Sequence, residues 1–185
     1  MDVTPSAPTG RLLVIYESMF GNTKSIADAV AFGLAGDVEL IPVEAAPTTL
    51  GPDVDLVVVG APTHAFGLSR RSTRNSALRQ GGETLTPEDV GVREWIGALE
   101  VSPGTLLATF DTRIDRPRLP GSAARSAARL LRRKGIEPVV SPASFFVIGT
   151  SGPLKEGERH RALRWGAALA HIIRRRADSR TLSAV

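Results

Sequence analysis

The alternation of short apolar runs with helical patterns is the feature of this sequence that most constrains its fold. Five runs have the length and β-branched content of strands, and they are RLLVIY (11–16), VELIPV (38–43), DLVVVGA (55–61), TLLATF (105–110) and PVVSPASFFVI (138–148). The first, third and fourth are almost continuously apolar, which is typical of parallel strands buried on both faces. We therefore predict an α/β fold, a three-layer sandwich in which helices cover both faces of a parallel sheet.

Helical patterns fill the gaps between these runs, over 22–35, 87–99, 121–134 and 156–176. In the first pattern Ile26, Val30 and Leu34 recur every four positions and form one apolar face. The connection between the second and third runs is short enough for only a stunted helix or a loop. The connection 62–104 is long and carries a polar basic piece, SRRSTRNSALRQGGE, before its helix.

A chain of 185 residues fits one domain. We assign that domain to 11–176, after a loose leader at 1–10 and before a tail at 177–185 that we expect to fray. The leader has no signal-peptide pattern and no apolar run approaches the ~20 residues that span a bilayer, so we expect a cytoplasmic protein. The sequence contains no cysteine, which excludes disulfides, thiolate metal sites and thiol catalysis.

The net charge of +4 conceals a strong asymmetry along the chain. Residues 1–68 hold two cationic side chains and eight acidic ones, whereas residues 69–185 hold 21 and 11. The clusters RLLRRKG and IIRRRADSR lie near predicted helix C-termini, where cations suit the helix dipole. No recognition motif or aromatic stacking platform accompanies them, so we favour a solvated face over a nucleic-acid surface.

The stretch YESMFGNTKS, residues 16–25, leaves the first predicted strand and enters the first predicted helix. A helix N-terminus presents unpaired N–H groups and favours an anion. Ser18 and Thr23 add hydroxyl donors, and Gly21 permits close backbone approach. Because ligands of open α/β sheets bind beyond the carboxyl ends of the strands, we predict that this loop holds a phosphate.

Three better-known arrangements do not fit the loop. A P-loop requires a glycine directly before its lysine, where this chain has Thr23. The G-x-G-x-x-G dinucleotide fingerprint is absent. A phospho-acceptor receiver domain needs an acidic group at the end of the third strand, which here ends in Gly60 and Ala61.

The segment SMFGNT resembles the phosphate loop of the flavodoxin family, whose pattern is Ser/Thr-x-Thr-Gly-x-Thr. Ser18, Gly21 and Thr23 match; Phe20 departs, as in the Ser-Met-Tyr-Gly variant of flavodoxin-like quinone reductases. The resemblance continues through GAPTHAFG (60–67), ATFDTR (108–113) and FFVIGTSGPLKEGE (145–158). The resemblance covers nearly the whole chain after residue 10. The chain is similar to the short-chain flavodoxins, because it has no counterpart of the segment that splits the fifth strand in the long-chain ones.

The resemblance implies a five-stranded parallel sheet of order 2-1-3-4-5 with FMN at its carboxyl edge. The 5′-phosphate would bind at 18–23, and the isoalloxazine ring would lie between the 62–67 and 110–116 loops. The implied cofactor-binding residues are Ser18, Met19, Phe20, Gly21, Asn22, Thr23, Pro62, Thr63, His64, Ala65, Phe66, Gly67, Phe110, Asp111, Thr112 and Arg113.

Several of these residues also have a purely structural interpretation. Phe66 would then lie in the core, Phe110 would end its strand, and the spacing of Trp95 and Trp165 indicates core positions. The ordinary pKa of a histidine lies near physiological pH, so His64 is a candidate for acid–base catalysis. We favour contact between His64 and the flavin ring over that role. Flavodoxins place an aromatic over the outer ring face from the loop after the fourth strand, but no aromatic occurs from 111 to 144.

Cationic residues surround the implied ring position. Arg113 and Arg116 lie near the expected ring edge, and Arg70, Arg71 and Arg74 follow the other ring loop. A cation stabilises a developing anion, so we expect reduced flavin to form more easily here than in an acidic flavodoxin. A partner protein would have an acidic docking face.

Three functions are compatible with the resemblance. The first is an FMN electron-transfer protein that passes electrons between redox partners. The alternative is an FMN-dependent oxidoreductase that takes hydride from NAD(P)H and reduces a quinone, for which the open ring face and the arginines are suited. A second alternative is a flavin-free binding module, which the missing aromatic favours. No Ser-His-Asp order, metal-spaced histidine set or paired carboxylates indicates other chemistry, and we expect no metal.

Overall fold

The computed structural model describes residues 10–64, 66–81, 90–115 and 120–183, the last four by their backbone alone. Within them the strands are β1 (Arg11–Tyr16), β2 (Val38–Pro42), β3 (Thr49–Leu50), β4 (Val54–Pro62), β5 (Glu100–Val101), β6 (Leu106–Ile114) and β7 (Ala143–Val147). The helices are α1 (Asn22–Leu34), α2 (Arg71–Arg79), α3 (Val92–Ala98), α4 (Ala123–Arg133) and α5 (Glu158–Ser183), with one 3-10 turn at Val43–Ala45.

Five strands form one parallel sheet in the order β2-β1-β4-β6-β7. These are the five strands predicted from the apolar runs, so the predicted α/β class and the order 2-1-3-4-5 are confirmed. The pair β3 and β5 forms a separate parallel ribbon that the sequence analysis missed. A strand of two residues is too short to show a periodic pattern.

The two faces of the sheet pack against different helices because successive side chains of a strand point to opposite sides. Leu12 and Val14 of β1 belong to the core beneath α1 and α5, whereas Leu13 and Ile15 belong to the core beneath α3 and α4. Trp95 is buried in the second core and Trp165 packs against the first, which confirms their predicted core positions.

An aromatic cluster lies beneath β6 and the edge strand β7, on the face covered by α1 and α5. Phe110, Phe145 and Trp165 meet edge to face, with ring centroids 5.9 to 6.2 Å apart. The ring of Phe110 covers the backbone of Gly60, where an added Cβ would lie 2.1 Å from the ring. Any larger residue at position 60 would therefore displace this cluster.

The predicted element bounds differ most from the observed ones at α2, β6, α5, α3 and β7. The polar basic piece contains α2, whose buried residues are Arg74 and Ala77 and which therefore has no apolar stripe to detect. β6 continues to Ile114 instead of ending at 110, and α5 continues past 176 to Ser183. α3 begins at Val92, and the predicted helix start at Pro87 and Glu88 lies outside the described residues.

β7 is shorter than its apolar run, and its start is shifted by a proline. The run was predicted from 138, but the strand begins at Ala143, directly after Pro142. Proline has no N–H to donate to a neighbouring strand. The predicted leader at 1–10 lies outside the described residues, apart from Gly10, whose N–H donates to Asp55 Oδ2 at 3.0 Å.

Candidate functional site

The loop before α1 forms an open N-terminal cap at the carboxyl end of β1. Gly21 is the N-cap residue in a left-handed conformation (φ 77°), and an added Cβ would meet no atom within 4 Å. Ser18 Oγ accepts a hydrogen bond from the N–H of Lys24 at 3.2 Å. Within the described residues, no hydrogen bond engages the N–H of Asn22 or of Thr23. These two donors and the helix dipole make the cap suited to an anion.

Two side chains of the loop, those of Asn22 and Thr23, form hydrogen bonds to other parts of the protein and so hold the loop in place. The Thr23 hydroxyl is buried and lies 2.8 Å from Thr112 Oγ1, so it bonds to β6. Asn22 Nδ2 donates to the carbonyl of Ser151 at 2.9 Å. We expected the Thr23 hydroxyl to serve as a ligand donor, but Thr112 occupies it. The available donors are therefore the backbone N–H groups and the Ser18 hydroxyl, which accepts from Lys24 but donates to no described residue.

A cleft of about 70 Å³ opens beside this cap. It is lined by side chains from three predicted loops and from β7, namely Met19, Phe20, Asn22, Thr23, Pro62, Thr63, His64, Thr112, Arg113, Ile114, Val147 and Thr150. A second cavity of about 210 Å³ adjoins it and shares Thr63, His64, Arg113, Ile114 and Thr150. The fold thus brings most of the predicted cofactor residues to one place.

Ile114, Val147, Thr150 and Pro120 line these cavities without having been predicted as site residues. Ile114 lies in the 110–116 segment that was expected to border the ring, although it was not named as a binding residue. Val147 and Thr150 belong to FFVIGTSGPLKEGE, which carried the resemblance, so the signal for them was present. Nothing in the sequence pattern marks Pro120.

The 62–67 loop is a tight turn that exposes an aromatic ring. His64 and Gly67 exchange two backbone hydrogen bonds of 2.9 Å. Phe66 has a left-handed backbone (φ 73°) and its residue is 59% exposed, so it does not lie in the core. An added Cβ on Gly121 would lie 2.2 Å from the Phe66 carbonyl oxygen, so the turn packs directly on this glycine. Ala65 lies outside the described residues.

His64 is half-buried at the wall shared by both cavities. Burial lowers its pKa, and the positive charge of Arg74 lowers it further. The imidazole is therefore neutral near pH 7, which suits contact with a ligand better than donation of a proton.

Phe110 and Asp111 are not placed to contact a ligand as the resemblance implied. Phe110 is 1% exposed within the aromatic cluster, on the interior side of β6. Asp111 is fully buried, and its Oδ2 accepts hydrogen bonds from Thr63 Oγ1 (3.1 Å), Ser122 Oγ (2.5 Å) and the N–H of Ala124 (3.0 Å). Its carboxylate therefore fixes the start of α4 and the 62–67 loop. Phe110 was expected to end the strand, and Asp111 fell in the predicted loop because β6 was expected to end at 110.

Below the cap lies a buried cluster of charged residues that sequence analysis did not identify. Glu17 is 2% exposed and its Oε2 accepts from the N–H of Val92 at 3.0 Å. Burial raises the pKa of the Glu17 carboxyl. Arg74 is 5% exposed and donates to Ser69 Oγ (3.0 Å) and Glu94 Oε2 (3.3 Å).

This burial corrects the predicted role of Arg74. We expected it to be an open cation beside the ring, but it is engaged inside the protein. The cation that does line both cavities is Arg113. Arg116, the other cation expected at the ring edge, lies outside the described residues.

Two absences hold for the described part of the chain. It contains no group of three or more His, Asp or Glu side chains arranged to hold a metal ion. No helix in it is long and apolar enough to cross a membrane.

Comparison with solved structures finds this architecture in several flavodoxins. Flavodoxin 2 from Bacillus cereus gives a TM-score of 0.61 at 20% identity, over 88% of this chain and 99% of that chain. A short-chain flavodoxin associated with a PDU bacterial microcompartment gives 0.58 at 12% identity, over 89% and 99%. A flavodoxin from the domain Archaea gives 0.57 at 16% identity, over 88% and 98%.

The comparisons by sequence give a different result. No protein-family model matches the chain, and no curated protein matches it. The likeness is one of sheet order, helix placement and chain length. It shows that the protein has a flavodoxin-like fold.

Proposed function

We propose that this protein binds FMN at the carboxyl edge of its sheet and transfers electrons between redox partners. The observation that carries the proposal is the open cap of α1. Gly21 turns the chain so that the N–H groups of Asn22 and Thr23 have no partner in the described structure. A phosphate group fits these donors, and the adjoining cleft leads from them to Pro62, His64 and Arg113.

The residues of the cleft have distinct tasks in this proposal. The 18–23 loop would hold the phosphate, and Pro62 to His64 would border the ring. Bound flavin supplies the redox chemistry, since it accepts and returns electrons. The Arg113 guanidinium would favour a negative charge developing nearby, because opposite charges at 4 Å attract by ~1 kcal/mol in water and more when partly desolvated. A protein partner would dock with an acidic face.

The first experiment measures flavin retention. The purified protein is mixed with FMN, passed through a desalting column and scanned in the visible range. The proposal expects flavin bands at about one per chain. If loaded protein retains no flavin, a flavin-free binding module replaces the electron-transfer function.

A charge substitution at the N-cap tests where the phosphate binds. Aspartate and asparagine have nearly the same shape, and both tolerate a left-handed backbone and an N-cap position. Gly21→Asp places a carboxylate beside the unpaired N–H groups and should weaken FMN binding at least tenfold by repulsion. Gly21→Asn is the neutral control and should weaken it less. Riboflavin, which lacks the phosphate, should bind both variants alike; equal FMN affinity for both would place the phosphate elsewhere.

The second cavity favours one alternative function. The cavity of about 210 Å³ lies between the two loops that would border the ring, and no described aromatic residue from 111 to 144 covers it, so a small substrate could approach the ring face. An FMN-dependent NAD(P)H:quinone oxidoreductase would use this room. Oxidation of NAD(P)H by the FMN-loaded protein, stimulated by added quinone, would support the enzyme over the electron carrier.

A further inference from the structure

A third cavity, a groove of about 550 Å³, also borders the 62–67 turn. We call it the arginine groove. It is lined by residues of the turn, of α2, of α3 and of α4, namely His64, Phe66, Gly67, Leu68, Arg70, Ser72, Thr73, Arg93, Ser126, Arg129, Leu130 and Arg133. Its volume is typical of small-molecule sites.

One wall of the groove is a single face of α4. Ser126, Arg129, Leu130 and Arg133 follow the spacing i, i+3, i+4, i+7, so they share one side of the helix. Two like charges four residues apart on a helix repel each other. The helix dipole favours Arg133 in the last turn, and an anion bound between the walls would also relieve its repulsion with Arg129.

Arg93 on the opposite wall is held in position without being neutralised. Its Nη2 donates to the carbonyl of Leu68 at 3.1 Å and its Nε donates to the carbonyl of Ser69 at 3.3 Å. A backbone carbonyl fixes the guanidinium but carries no net charge. The remaining guanidinium donors keep their positive charge available for a ligand.

The charge in the groove is not balanced by the described residues. Among the described residues no Asp or Glu lines it, and Arg70, Arg129 and Arg133 form no ion pair with any described side chain. By contrast, Arg132 lies on another face of α4 and pairs with Glu137 at 2.8 Å. On α4, Arg129 and Arg133 line the groove without an ion pair to a described residue, and Arg125, which also lacks one, lies outside it.

We infer that the arginine groove binds a small molecule that carries two or more phosphate groups. A terminal phosphate carries about −1.5 to −2 charges near pH 7, so two phosphates match four guanidinium groups. Guanidinium groups bind phosphate oxygens in pairs of parallel hydrogen bonds. Ser72 lies in the first turn of α2, where the helix dipole favours an anion, and its hydroxyl lines the groove; the Thr73 hydroxyl is engaged by the Arg70 backbone.

The place of the groove suggests what its ligand does. The groove shares His64 and Phe66 with the cavity beside the proposed ring position. The exposed Phe66 ring offers a flat surface for the rest of the ligand. The ligand would then be the electron donor or acceptor, an assignment that rests on the proposed function, whereas phosphate binding itself does not.

The test uses inorganic pyrophosphate as the probe and calorimetric titration as the measurement. The groove variant is Arg129→Gln/Arg133→Gln. The matched control is Arg175→Gln/Arg176→Gln, which removes the same charge from exposed positions on α5, on the opposite face of the sheet. We expect the groove variant to bind pyrophosphate at least tenfold more weakly than wild type, and the control to stay within twofold. Equal weakening in both variants would overturn the proposal.

Two further measurements separate this proposal from the proposed function. Gly21→Asp should keep pyrophosphate binding while losing FMN, and the groove variant should do the reverse. If Gly21→Asp loses pyrophosphate and the groove variant keeps it, the anion binds at the α1 cap and the groove proposal fails. If long-chain polyglutamate binds the groove more tightly than pyrophosphate, the groove docks an acidic protein, and the small-molecule assignment is wrong.

Discussion

The α1 cap at 18–23 and the end of β6 at 110–113 were both predicted to contact the cofactor. The two regions differ in how many of their polar groups remain open to a ligand. At the cap, backbone donors stay open beside the cleft. At the end of β6, Phe110 is buried in the aromatic cluster and Asp111 in the contact with α4. The difference comes from where each strand ends. β1 ends at Tyr16, and the residues after it form the loop before α1. β6 stays paired with β4 as far as Thr112 and with β7 as far as Ile114.

The largest expected effect comes from Asp111→Ala. The change leaves Thr63, Ser122 and the α4 N-terminus without their shared acceptor, and should lower the free energy of unfolding by about 3 kcal/mol. Denaturant unfolding measures it. Asp115→Ala, which removes an exposed ion pair with Lys155, is the control and should cost under about 1 kcal/mol. If folded Asp111→Ala binds FMN much more weakly than wild type, β6 belongs to the site after all.

Gly60→Ala tests the tight packing behind the site. The new Cβ would overlap the Phe110 ring, so we expect a loss of about 1 to 3 kcal/mol in thermal or denaturant unfolding. Gly97→Ala is the control, because its Cβ meets nothing within 4 Å on a helix, and should stabilise by about 0.5 to 1 kcal/mol. Similar effects at both positions would contradict the packing of Phe110 on Gly60.

A double-mutant cycle at Thr23 and Thr112 tests the bond that joins the two regions. Thr112→Val leaves the buried Thr23 hydroxyl without its partner and should cost about 1 to 3 kcal/mol of stability. Adding Thr23→Val should recover part of that loss, because both polar groups are then removed. Strictly additive effects of the two changes on unfolding would show that the hydroxyls do not interact.

The smallest expected effect is a pH dependence due to His64. The pKa of His64 is lowered in the folded state, so in acid the unfolded chain binds more protons than the folded one. The neutral imidazole therefore contributes to the free energy of unfolding near pH 7. This contribution is lost as the pH falls below the pKa of histidine in the unfolded chain. His64→Gln should flatten the fall in stability between pH 7 and pH 5. His171→Gln, at an exposed position on α5, is the control and should leave the slope unchanged. A slope unchanged by both substitutions would contradict the shift.

The order of the large elements and the position of the cap could be predicted from the amino-acid sequence. Runs of apolar residues are long enough to identify the five strands of the sheet, and the junction at 16–25 combines a strand end, a glycine and a helix start. These features are local, so they can be read from neighbouring residues. The stunted second connection and the core positions of Trp95 and Trp165 were predicted for the same reason.

Which polar side chains remain available to a ligand could be seen only in the folded protein. Asp111 and Arg74 look like surface residues in the sequence, but their partners Ala124 and Glu94 lie 13 and 20 positions away. The arginine groove likewise joins α4 to Arg93 and to the start of α2. Burial and charge balance depend on residues brought together from distant parts of the chain. A local pattern therefore predicts where the site lies, while the packing of the sheet and helices decides which groups form it.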